Sequence, residues 1–153
     1  MAVGLLALAA WLLRNDIARR TVHQRGLTRY IAVCLLSGYV WLIVGGLVLL
    51  AAGELAPGNV SYDALVHALG MGFVFSMVFG HAPIIFPAVL RVAVPYHPYF
   101  YAPLIALHGS LVLRLAGDAL DDFTLVRAGG LLGAIALAGF IIGTVSAVIR
   151  GRR

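Results

Sequence analysis

The stretch SYDALVHALGMGFVFSMVFGHAPIIFPAVLRVAVPYHPYFYAPLIALH, residues 61–108, carries four of the chain's five histidines inside or beside two long apolar segments. Ionisable groups at membrane depth are rare and by default mark a functional site. His67 and His81 stand fourteen residues apart on one segment. At ~100° per residue, that spacing predicts nearly the same helix face, with the two ~21 Å apart along the axis. His108 lies in the next segment. The pattern points to histidines that hold a metal centre.

Outward from this stretch, the composition is that of a membrane protein. Of 153 residues, 62% are hydrophobic and 11% charged, against ~45–50% and ~25% in a soluble domain. Several stretches run past the ~18 uncharged residues that a transmembrane helix requires. The expected fold is all-α: one polytopic helical bundle over residues 1–153, with four full spans and a short N-terminal apolar helix. Eleven basic residues face six acidic ones, and every basic residue is Arg. They gather at segment ends, so the charge reads as topology rather than as a nucleic-acid footprint. The one cysteine, Cys34, reads as a small buried apolar residue.

Residues 1–13 are apolar but too short as a helix to cross a ~30 Å core. They lack the basic start and small-residue cleavage site of a signal peptide. Residues 14–29 hold Arg14, Arg19, Arg20, Arg25 and Arg29 against Asp16 alone. The positive-inside rule places this loop in the cytoplasm of a bacterial-type inner membrane. The first full span covers 30–53, where Gly45 and Gly46 permit close helix approach and Trp41 sits at mid-depth. A loop with Glu54, Pro57 and Gly58 belongs outside. The second span runs from Asp63 to Leu90, with Pro83 and Pro87 expected to kink or loosen its inner third. The third covers about 99–117, with Arg114 and Asp118 at i, i+4 spacing. The fourth covers about 125–149 and ends at Arg150, Arg152 and Arg153, again cytoplasmic.

A neutral imidazole serves as an axial ligand for haem iron and equally for copper or zinc. Counted from their cytoplasmic ends, His81 and His108 come out at similar depth, which favours them as opposing ligands of one centre. His67 is then a second ligand position or a second site. Arg114 is a candidate partner for a haem propionate, with Asp118 as its alternative. Met71 and Met77 read as packing residues, and His97 as an interfacial one. No CxxCH, GxSxG, HExxH or Walker A motif is present.

The run from His67 to Met77, HALGMGFVFSM, resembles the second helix of subunit I in haem–copper oxidases. The wider stretch HALGMGFVFSMVFGHAPIIFPAVL, with PYHPYFY and a following His, looks like the NnrS-like membrane proteins, a family that contains haem and copper. That resemblance implies haem b, with copper as a second possibility, and nitric oxide-related chemistry in a short relative of the family. Beyond Met77 the oxidase pattern fails, since Gly80, His81 and Pro83 stand where a glycine cluster and Asn belong.

The leading expectation is a haem b protein of the membrane acting in electron transfer, nitric oxide or oxygen-related chemistry, or sensing. Four or five helices shield a haem only in part, so a homo-oligomer or a larger membrane complex is expected. The rivals are a cofactor-free accessory subunit of a respiratory complex and a small transporter with a proline-broken helix at 81–87.

Overall fold

The computed structural model describes residues 1–52 and 55–151, so Glu54, Arg152 and Arg153 lie outside the described residues. Helices α1 (Ala2–Asn15), α2 (Ala18–Thr21) and α3 (Leu27–Ala51) come first. Next, α4 (Val60–His67), a π-helix (Ala68–Val74) and α5 (Phe75–Leu90) form one continuous rod. A short 3-10 turn (Pro98–Phe100) leads into α6 (Tyr101–Leu120), and α7 (Phe123–Gly151) closes the bundle. Four helical segments are long and apolar enough to cross a bilayer: Leu27–Ala51, Val60–Leu90, Pro98–Leu120 and Phe123–Gly151. The chain is therefore an all-α, multi-pass bundle suited to lipid, with α1 as the short extra helix.

Local chemistry sets the element ends. The Asn59 side chain accepts the Tyr62 N–H at 2.7 Å and starts α4, a standard N-cap. Asp122 Oδ1 accepts the Thr124 N–H at 2.8 Å at the start of α7. Asp16 does the same for Ala18 at 2.7 Å, and its other oxygen accepts the Tyr39 hydroxyl at 2.6 Å. That second bond pins the α1–α2 corner to the middle of α3.

Helices α1, α3 and the α4–α5 rod pack as one group, and α6 and α7 form a hairpin against it. Small residues allow the close approach that drives packing in lipid. A Cβ on Gly46 would meet Leu6 at 2.8 Å, and one on Gly45 would meet Leu69 at 2.9 Å. Between the two groups, the rings of Phe79 and Phe140 stack at 3.9 Å. Tyr30, fully buried, lies among Tyr96, Phe100 and Tyr101 at the end where α3 begins.

One expectation for the second span is corrected, that His67 and His81 share a face. The helix runs through Pro83 and Pro87 to Leu90 without interruption. Transmembrane helices tolerate proline because neighbouring groups and local adjustment re-satisfy the freed backbone. The irregularity sits higher, in the π-helix at Ala68–Val74. An i→i+5 turn holds more residues than the 3.6 of an α-turn, so these residues put the count from His67 to His81 out of phase. The two histidines do not share a face: His67 is half-buried and His81 is exposed.

Candidate functional site: the intramembrane histidines

The π-helix brings Gly72 against α3. A Cβ at Gly72 would stand 2.4 Å from Trp41 Cγ, so only glycine fits beneath the indole. Trp41 is 8% exposed and packs with Ala68 and Leu111. From there its Nε1 donates to His108 Nδ1 at 2.8 Å, and the two rings lie 16° from parallel with centroids 6.3 Å apart. An indole N–H only donates, so Nδ1 is the accepting nitrogen and the proton sits on Nε2. That Nε2–H faces Ser37 Oγ at 3.0 Å, and the Ser37 hydroxyl donates to the Cys34 carbonyl at 3.0 Å. The chain Trp41→His108→Ser37→Cys34 is complete in both directions. It fixes a neutral His108 with both ring nitrogens engaged.

A second polar group lies toward the opposite end of the bundle from Tyr30, on α4 and α6. Arg114 grips Asp63 with two bonds, Nε to Oδ2 at 2.9 Å and Nη2 to Oδ1 at 3.0 Å. Such forked pairs are the stronger and more directional class of ion pair. The expected i, i+4 pairing of Arg114 with Asp118 gives way to this interhelical bond. Asp118 remains within electrostatic reach of Asp63, Arg114 and His67. Its buried Oδ2 has no hydrogen-bond partner among the described residues. His67 Nδ1 lies 2.9 Å from the Asp63 carbonyl and 3.3 Å from its Oδ2, so Nδ1 carries the proton and Nε2 is left as an acceptor.

His81 is the third case. Its Nδ1 lies 2.8 Å from the Met77 carbonyl and donates to it, leaving Nε2 free on an exposed side chain. On its outward stripe stand Val74, Val78 and Ile85, all exposed. A histidine that gives one N–H to a backbone carbonyl is held as metal-ligating histidines are held.

The structure therefore separates the residues that sequence placed together. His108 is level with the π-helix, because Trp41 sits on Gly72. His81 follows Gly80, whose Cβ position meets Cys34 and Leu35, about two turns or ~10 Å further along α3. The expected pairing of His81 with His108 on one centre would require the two rings to meet across this offset. As donors toward a haem iron, His67 and His81 each offer a free Nε2. His108 offers none unless its bonds to Trp41 and Ser37 break, and Arg114 is already bound to Asp63. His97 caps the 3-10 turn, accepting the Tyr99 N–H at 3.1 Å. Met71 and Met77 pack, Met71 beside Trp41 and Gly133 and Met77 over Gly38. Ser37, Trp41 and Asp63 are the partners that sequence reading missed. Only Trp41 at mid-depth was a signal for any of them.

No group of three or more His, Cys, Asp or Glu among the described residues is arranged to hold a metal. No curated protein matches the sequence, and no solved structure matches the chain. Residues 1–149 match a family model described as a domain of unknown function, DUF8744. The match spans nearly the whole chain, and the protein belongs to the DUF8744 family.

Proposed function

We propose that the chain is a b-type haem-binding membrane protein in the NnrS-like neighbourhood, with His81 as its one axial ligand. The observation that carries this reading is the pose of His81 at membrane depth. Its Nδ1–H is tied to the Met77 carbonyl, and its Nε2 lone pair opens onto an apolar outer face. An unpaired polar atom facing hydrocarbon is costly, and coordination of a metal removes that cost. Haem held by one histidine supplies an iron with an open coordination position. This favours nitric oxide or oxygen-related chemistry or sensing over electron transfer between two fixed ligands. Copper at His81 has the same donor chemistry.

His81 lies on the outside of one chain, so the group it holds requires cover from a second copy or a larger membrane complex. His67, whose Nδ1 is tied to Asp63, is a second, separate site with its own Nε2. The Arg-rich stretch 14–29 faces the cytoplasm of a bacterial-type inner membrane in this reading, by the positive-inside rule.

The test is the absorption spectrum of detergent-purified protein, oxidised and dithionite-reduced, from haem-replete cells. A Soret band with sharp reduced bands is expected. It should be lost in His81→Ala and kept in His108→Ala. No Soret band in the wild type, with metal analysis also blank, overturns the proposal. That outcome favours the second reading, a cofactor-free accessory subunit. Its own support is that His108 and Arg114, two of the four candidate cofactor residues, are already engaged within the chain. The transporter reading has no broken helix to rest on, since α5 continues through both prolines.

A further inference from the structure

The Asp16–Tyr39 bond fixes the α1–α2 corner well up the length of α3. Tyr39 is twelve residues beyond Leu27, ~18 Å along the helix axis. Beside this corner lies a cleft of about 680 Å³. One wall is apolar, formed by Ala10 and Leu13 of α1 and Leu36 and Val40 of α3. The other carries Arg14, Arg19 and His23. A second cleft of about 570 Å³ adjoins it, sharing Arg14 and Arg19 and adding Arg20.

Leu36 is nine residues past Leu27, so the apolar wall of the cleft begins ~14 Å inside the start of α3, and Arg14 and Arg19 line the same cleft. The apolar outer surface of the bundle extends at least as far as that start. Gly80 packs on Cys34, so the stretch after it runs toward Leu27 and beyond, and there Ile84, Ile85, Val89 and Leu90 are all exposed. The apolar wall of the cleft thus lies at a depth where the rest of the bundle faces hydrocarbon, with the Arg cluster beside it. Among the described residues, the acidic neighbour of the cluster is Asp16, whose two oxygens accept from the Ala18 N–H and the Tyr39 hydroxyl. Arg14, Arg19 and Arg20 are exposed and form no ion pair among the described residues.

Unpaired arginines beside a hydrocarbon-facing surface are relieved by snorkelling to the headgroups or by drawing headgroups to them. A basic pocket continuous with an apolar groove fits a molecule with an anionic head and an acyl tail. We propose that the α1–α2–α3 notch binds one anionic glycerophospholipid. Its phosphate is held by Arg14 and Arg19, and one acyl chain lies along Leu13, Leu36 and Val40. This proposal is independent of haem and of His81.

The test is native mass spectrometry of the full chain released from nanodiscs of phosphatidylcholine containing a minor share of phosphatidylglycerol. One phosphatidylglycerol should stay bound through progressive delipidation. The Arg14→Gln, Arg19→Gln double variant should lose retention by about tenfold or more. Val40→Trp fills the apolar wall at an exposed position, leaves every charge in place, and should also lower retention. Far-UV circular dichroism of each variant checks that it is folded. Glycerol 3-phosphate, which has the head without the tail, should not displace the lipid. Four results overturn the proposal. Phosphatidylcholine is retained equally well. Retention is unchanged in both folded variants. Glycerol 3-phosphate competes fully, which makes the notch a free-anion site. Or a dimer dissociates when the arginines are replaced, which makes the notch a protein interface.

Discussion

His108 and His81 are the same side chain at membrane depth on neighbouring helices, yet their surroundings are opposite. The His108 ring lies in the seam between α3 and α6, with a donor on one nitrogen and an acceptor on the other. The His81 ring lies on the outer face of α5, with one nitrogen tied to its own helix and the other open. In the seam the imidazole is a structural connector, and replacing its partners should weaken the fold. On the outer face it adds nothing to the fold of one chain, so its value lies in what binds there. The lesson is that hydrogen-bond partners, not the residue type, decide which histidine is available for chemistry.

The sharpest way to break this comparison is at Gly72, on which the seam depends. Gly72→Val places a branched side chain where even a Cβ would stand 2.4 Å from Trp41. The indole must leave its pocket, and the His108 bond goes with it. The expected loss is about 3 kcal/mol or more, since overpacking and the lost buried bond add. Unfolding by SDS in mixed micelles measures it. Wild-type resistance to SDS in this variant would mean that the π-helix does not press on Trp41.

A smaller effect is expected from Trp41→Phe, which keeps an aromatic ring and removes the donor to Nδ1. A buried acceptor left unsatisfied costs about 1–3 kcal/mol. The imidazole is then free to exchange tautomers, which 15N chemical shifts of His108 report directly. A single Nε2–H tautomer in both proteins, with no loss of stability, would show that Ser37 alone sets the ring.

The fold was legible because lipid imposes a simple rule. Long uncharged runs must be helices, and the caps at Asn59 and Asp122 open two of them. The span limits read from sequence agree with α3 to α7 to within a few residues. The sites were less legible for two reasons. A π-helix at Ala68–Val74 has no simple sequence signature, although the glycines at 70 and 72 make one possible. It invalidates any count of faces from His67 to His81. In addition, partners such as Asp63 for Arg114 are set by how α4 meets α6, which i, i+4 arithmetic within one helix does not contain.

The smallest expected effect is the stability change in His81→Leu, and it tests the outer face most directly. The side chain is exposed and bonds only to the carbonyl one turn back on its own helix, which already serves the α-helical ladder. Its removal leaves no buried group unpaired, and leucine suits the stripe formed by Val74, Val78 and Ile85. Surface changes of this kind usually fall within about 0.5 kcal/mol. SDS unfolding of the haem-free chain in excess detergent, where copies are kept apart, should therefore match the haem-free wild type. The same substitution should matter when the outer face is engaged, so unfolding in nanodiscs that admit more than one copy should separate the two proteins. A large loss in dispersed single chains would place His81 in the intramolecular structure. The contrast with His108 would then disappear, and with it the reason to assign ligand binding to α5.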